Sequence, residues 1–178
     1  MPFPLSFRTA FAISLTVCLC AAVLEGLFAG RNVKATFASL RFPRYSPPLW
    51  AWILVGVVYY VLFFVIVFRI LRTDQHELLA ALCLVTATKM MFINAFWNLL
   101  FFRLRSVSLG LILGVPYAVM AIVLFVCLLQ LDRVAAWTLS PYLVYLCYAN
   151  YWGYGLWKLN RDDDRGIACL IAAWRGSR

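Results

Sequence analysis

Few side chains in this sequence are of a type that does covalent chemistry, and their spacing argues against most of it. The cysteines are Cys18, Cys20, Cys83, Cys127, Cys147 and Cys169, and His76 is the single histidine. None of the cysteines forms a Cys-x-x-Cys pair. One imidazole cannot complete a Cys2His2 set, so the pattern disfavours a structural zinc site. Five of the six thiols fall inside apolar runs, where cysteine packs as a small hydrophobe. A lone histidine also rules out haem ligation by two histidines of one chain. No HExxH, no phosphate-binding glycine loop and no nucleophile–His–Asp arrangement is present. A conventional hydrolase, ATPase or metalloenzyme is therefore disfavoured, and we name no catalytic residue and no metal ligand. The triplet Asp162-Asp163-Asp164 lies between Arg161 and Arg165, and reads as a solvated segment rather than a cation site.

The polar groups that remain informative are those inside apolar runs: Glu25, Lys89, Asn94 and Asn98. In a bilayer each is costly unless paired. Lys89, near the middle of its run, implies either a polar cavity or a partner such as Glu25, since two long side chains can bridge an offset of roughly 8 Å at 1.5 Å rise per residue. Asn94 and Asn98 share a helix face, with Trp97 three residues beyond Asn94. Two readings stay open for them: hydrogen bonds between helices, or a polar patch at the rim of an aromatic pocket. Near the C-terminus come Tyr142, Tyr145, Tyr148, Tyr151, Trp152, Tyr154 and Trp157, of which Tyr145, Tyr148 and Trp152 recur at helical spacing. Such a stripe either packs the bundle or offers flat, polar-tipped rings to a planar ligand.

The elements that position these residues follow from composition. The chain has 178 residues, 65% hydrophobic and 13% charged, against about 45–50% apolar in soluble domains. It is expected to be an all-α membrane protein, a five transmembrane helix bundle with spans at about residues 9–30, 48–71, 78–102, 107–131 and 134–159. Each run is long enough for the roughly 30 Å of hydrocarbon. Residues 1–160 form this domain, and 161–178 a polar tail whose apolar piece 167–174 could lie on the membrane surface. The first run is too long for a signal-peptide core and is read as a retained helix. Pro116 and Pro141 fall inside the fourth and fifth runs. Short links make the second to fifth runs antiparallel neighbours. Gly26 with Gly30 and Gly110 with Gly114 have GxxxG spacing, which permits close approach within one chain or between two.

The net charge of +9 sets topology rather than nucleic-acid binding, since no soluble basic face exists to carry it. Arg8, Arg69, Arg72 and Arg133 fall on one side. Arg31, Lys34, Arg41, Arg44, Arg103, Arg105 and the C-terminal basic residues fall on the other. By the positive-inside rule the N-terminus faces outside and the C-terminus faces the cytoplasm. The stretch LRFPRYSPPLWAW, residues 40–52, shares the cytoplasmic side. Pro47-Pro48 suits the first turn of the second span. The segment is either an interfacial aromatic belt or a lid over a pocket.

Three segments resemble the TspO/translocator protein family, the tryptophan-rich sensory or peripheral benzodiazepine receptor proteins. The loop is similar to LxKPxWxPPxW, with Pro43, Pro47, Pro48 and Trp50 on its fixed positions and Tyr45 where Trp is usual. NAFWNLLFFRLR is similar to NxxWxxxFFxxR through Asn94, Trp97, Phe101, Phe102 and Arg105. PYLVYLCYANYWGYGLWKLN is similar to PYLxWxxxAxxLNxxxWxxN through Pro141, Tyr142, Ala149, Trp157 and Asn160. The resemblance implies a five-helix bundle, often dimeric, whose cytoplasmic loop closes a pocket for porphyrin, haem, sterol or isoquinoline-type molecules. It implies a ligand-binding set of Tyr45, Pro47, Pro48, Trp50, Asn94, Trp97, Tyr142 and Tyr145. The expected ligand is a porphyrin- or haem-type tetrapyrrole, in a regulatory or transport role in a bacterial inner membrane. The alternatives are a transporter of tetrapyrroles or sterols, and a porphyrin-photooxidising enzyme. No cofactor is required; the expected partners are a tetrapyrrole or sterol-like molecule, membrane lipid and a second copy of the chain, with no nucleic acid. Two Trp positions linked to porphyrin photodegradation in some members are Gly56 and Tyr145 here, and the Asn of LNxxxW is Gly153. The enzyme reading is weakened accordingly.

Overall fold

The structure is a computed structural model that describes residues 4–74 and 76–160. The expectations for the acidic triplet and the 167–174 piece lie outside the described residues. All regular structure among the described residues is helical. Helix α1 spans Phe7–Ala29, α2 Val33–Ala38, α3 Leu49–Arg72, α4 Glu77–Asn98, α5 Val107–Leu131 and α6 Arg133–Asn160. The chain is thus all-α, and the described residues form five long helices and one short extra helix, α2, in the loop after α1. Among the described residues four segments are long and apolar enough to cross a bilayer: α1, α3, α4 with its extension to Arg103, and α5. Helix α6 is as long but falls outside that group, because hydropathy scales count its many Tyr and Trp residues as near-neutral.

Local sequence explains the boundaries. The Ser6 hydroxyl accepts from the Thr9 amide at 3.3 Å, and Gly30, at φ 75°, ends α1. That positive φ is a conformation glycine adopts without the cost a Cβ would add. Pro48, at φ −67°, is the cap residue of α3, one position ahead of the expected first turn. It starts the helix for the same reason: its fixed φ is preorganised and it lacks an N–H to leave unpaired. Ser106 caps α5 by accepting from the Leu109 amide at 3.2 Å. Helix α4 runs on into a π-helical turn, Leu99–Arg103. Pro116 and Pro141 lie inside continuous helices, and both are exposed at the surface of the bundle.

Contacts arrange the long helices in a closed ring. Helix α1 touches α3 and α4, α4 touches α5, α5 packs most extensively on α6, and α6 returns to α3. One half of the ring is solid. Phe63, Ile66, Val67 and Ile70 of α3 are fully buried with Met90 of α4 and Leu124, Leu128 and Leu139 of α5 and α6. Small residues (Ala80, Cys83, Ala87, Ala135 and Ala136) let the backbones approach there. The outward faces carry Leu19, Val23, Leu27, Ile112, Val115, Val119 and Val144, as expected of helices whose outer surface meets lipid.

The α5–α6 corner is held by Asp132. Its carboxylate accepts from Arg69 Nε at 2.9 Å through both oxygens, pairs with Arg69 Nη2 at 2.8 Å, and accepts from the Ala135 amide at 2.9 Å. Partial burial pushes this carboxyl up, but the hydrogen bonds from Arg69 and the α6 amides outweigh it and leave it below the usual carboxylate range. The corner thus ties α3 to the start of α6 and caps that helix.

Candidate functional site

The other half of the ring, toward the 40–48 loop, is hollow. It encloses a cavity of about 650 Å³ lined by every helix of the bundle, a size within the roughly 300–1,000 Å³ common for small-molecule sites. The walls are mostly aromatic. Trp52 of α3 lies 4.5 Å from Trp152 and 6.3 Å from Tyr145 of α6, ring centre to ring centre. Trp97 stacks on Phe101 at 4.6 Å, and Phe101 reaches Trp152 at 6.3 Å. The inner end carries a phenol cluster. The Tyr117 hydroxyl donates to Tyr59 at 3.3 Å and lies 2.9 Å from that of Tyr142.

Glycines create the space. A Cβ at Gly56 would meet nothing within 4 Å, and one at Gly153 would meet only Leu111 at 3.6 Å. Gly110 and Gly114 do the opposite. A Cβ at Gly110 would stand 3.1 Å from Trp97 Nε1, and one at Gly114 3.1 Å from the Asn150 side chain. The close approach at Gly110 has a purpose: Trp97 Nε1 donates to the Gly110 carbonyl at 3.1 Å, which fixes the ring against α5. The Gly26–Gly30 pair makes no such approach, since neither position has a neighbour within 4 Å.

One acidic group sits in this wall. Glu25 Oε2 accepts from the Tyr60 hydroxyl at 2.6 Å and from Asn94 Nδ2 at 2.9 Å. This corrects the expected pairing with Lys89, which is exposed on α4. The reason is angular. Five helical residues separate Lys89 from Asn94, which is about 140° around the axis and about 7.5 Å along it. With Asn94 turned to Glu25, Lys89 must face away. Asn98 is buried and donates to the Asn94 carbonyl of its own helix at 3.1 Å.

The loop is strapped to α6 at several points. The Asn160 side chain accepts from the Arg41 amide and donates to the Arg41 carbonyl, each at 2.8 Å. Trp152 Nε1 donates to the Ser46 hydroxyl at 2.8 Å, and the Tyr148 hydroxyl to the Tyr45 carbonyl at 2.9 Å. The Pro43 ring lies against Gly155, where a Cβ would stand 3.1 Å away.

Of the residues singled out in the sequence, Asn94, Trp97, Tyr142 and Tyr145 line the cavity. Tyr45, Pro47, Pro48 and Trp50 lie off its lining; Tyr45 is 76% and Trp50 67% exposed. The loop's tryptophan on the cavity is Trp52 instead. Two helical residues rotate about 200°, so Trp50 and Trp52 cannot share a face. Trp52 Nε1 is buried and has no hydrogen-bond partner. Sequence reasoning also passed over Tyr60, whose spacing of eight residues from Trp52 was the available signal.

The family model of the TspO/MBR family matches residues 14–158. Protein CrtK of Rhodobacter capsulatus is 24% identical over 155 residues, covering 87% of this chain and 95% of that protein. Tryptophan-rich protein TspO of Chlorobaculum tepidum is 20% identical over 149 residues, covering 84% of this chain and 94% of that protein.

Proposed function

The chain belongs to the TspO/MBR family, and we propose that this integral membrane protein binds a hydrophobic planar ligand of the porphyrin or haem type in its ring-walled cavity. The observation that carries the reading is the cavity itself: about 650 Å³, walled on one side by Trp52, Trp97, Tyr145 and Trp152. Flat aromatic walls suit a flat conjugated ligand, which gains apolar contact over its whole face. The loop straps to Asn160, Trp152 and Tyr148 support a closed floor on that side. The role is binding for regulation or transport rather than covalent chemistry. The N-terminus lies outside and the C-terminus in the cytoplasm of a bacterial inner membrane, as the distribution of basic residues supports.

Titration of the detergent-solubilised protein with protoporphyrin IX tests the reading. Saturable quenching of tryptophan fluorescence at micromolar ligand is expected, because several indoles stand on the cavity wall. Absence of quenching overturns it. Illumination of the complex should leave the porphyrin spectrum intact, and a new bilin-like absorbance would point to photooxidation instead. Flux of the same porphyrin in proteoliposomes distinguishes transport from retention.

A further inference from the structure

Glu25 is an unusual group to find on the wall of an apolar cavity. An ionisable side chain inside a spanning helix is retained where it does something. Two donors, Tyr60 and Asn94, converge on the same oxygen, Oε2, at 2.6 and 2.9 Å. Both bonds go to the one oxygen, Oε2, and hold the carboxyl group in place at the wall. Both bonds come from neutral groups. Among the described residues the one ion pair is Arg69–Asp132, so no Lys, Arg or His of the described chain lies within pairing distance of Glu25. Lys34, which also lines the cavity, is beyond that reach. The carboxyl group is therefore oriented by hydrogen bonds from neutral groups and has no cationic partner among the described residues, inside a pocket large enough for a small molecule.

We propose that Glu25 selects the ligand by charge: the cavity takes a planar aromatic molecule bearing a protonated nitrogen, held by the Glu25 carboxylate while its ring lies against Trp52 and Trp152. The proposal rests on the reading of this cavity as a site for planar ligands and departs from a porphyrin-type ligand, whose peripheral polar groups are carboxylates, in giving the planar ligand a positive charge. Tyr60 and Asn94 are positioning residues. They occupy Oε2 and hold the carboxylate group at the wall, so that the cation meets a fixed acceptor instead of a mobile side chain. A neutral ring of the same shape would gain the aromatic contacts without the charge.

The test uses a matched pair of probes on the full-length protein in detergent at neutral pH: 9-aminoacridine, which is cationic, and acridine, which shares the ring system and is neutral. Binding is followed by tryptophan quenching. Wild type should bind 9-aminoacridine about tenfold or more tighter than acridine, the expected worth of a charge-assisted hydrogen bond in a partly buried site. Glu25→Gln should abolish that preference and leave acridine within about twofold, since the aromatic wall is untouched. Glu25→Leu serves as a second variant should the amide fail to fold, and wild type alone already reports the preference. Equal affinity for the two probes in wild type overturns the proposal, and so does a preference that survives either variant. Protoporphyrin IX, titrated in parallel, separates the two readings. Porphyrin binding without cation preference leaves the tetrapyrrole reading standing and removes this one. Cation preference without porphyrin binding does the reverse.

Discussion

Asn160→Ala should open the loop from α6, and the structure gives the size of the effect. The Asn160 side chain is buried and bonds both the amide and the carbonyl of Arg41 at 2.8 Å. Alanine removes both bonds together and leaves two backbone groups to find water. At about 1 kcal/mol for each, the closed loop loses roughly 2 kcal/mol, or about a 30-fold larger open population. The remaining straps, Trp152 to Ser46 and Tyr148 to Tyr45, should keep the rest of the fold unaffected. Limited trypsin digestion reads this directly, because Arg41 and Arg44 both lie in the strapped segment. When opening and closing are fast relative to cleavage, the rate tracks the open population. Cleavage after these arginines should rise about 30-fold in Asn160→Ala. Asn160→Asp should fall between, since a carboxylate can accept from the Arg41 amide but cannot donate to its carbonyl. Unchanged cleavage in Asn160→Ala would refute the idea that this residue holds the loop.

Two further perturbations address the frame and the space. Asp132→Asn should lower the melting temperature at neutral pH, because it weakens both the Arg69 pair and the cap on α6. The wild-type carboxyl is held below the usual range, so its contribution is complete above about pH 4 and is lost as pH falls through the lowered folded value. Melting curves of wild type and variant should therefore converge in acid, and a constant gap would contradict the assignment. Gly110→Ala should destabilise by about 1–3 kcal/mol through overpacking, since its Cβ would stand 3.1 Å from Trp97 Nε1. Gly56→Ala meets nothing within 4 Å and should hold or raise the melting temperature, as alanine is favoured over glycine inside a helix by roughly 0.5–1 kcal/mol. Thermal unfolding of the two variants in the same detergent checks the contrast.

The long helices were legible because their signal is local. Apolar runs long enough to span, the proline pair before α3 and the short links all act within a few residues of where they are written. Helix α6 was read as a fifth apolar run, and its extent holds although its hydropathy falls short of the other spans. The short α2 was missed: six residues carry too few turns for a period to show. What stayed hidden was long-range. Depth along a helix placed Glu25 near Lys89, but pairing depends on rotation as well, and rotation is set by neighbours far away in sequence. The motif match placed Trp50 with the ligand-binding set, whereas helix geometry puts Trp52 on the cavity face.

The cavity face of α3 can be followed through one spacing. Trp52, Gly56 and Tyr60 stand at i, i+4 and i+8 and so line a single stripe of the helix, and all three border the cavity. The stripe begins with an indole against Trp152, passes through a position with no side chain and ends with a phenol bonded to Glu25. A large residue at the middle position would fill the gap between its two ends. Gly56 therefore does more than remove a ring that the resemblance places there. It joins the aromatic wall to the carboxylate in one continuous space, so a ligand that lies flat on Trp52 can reach Glu25 without leaving the pocket. Gly56 and the half-buried acid at the end of the stripe border one cavity, and the pocket's chemistry should follow the acid.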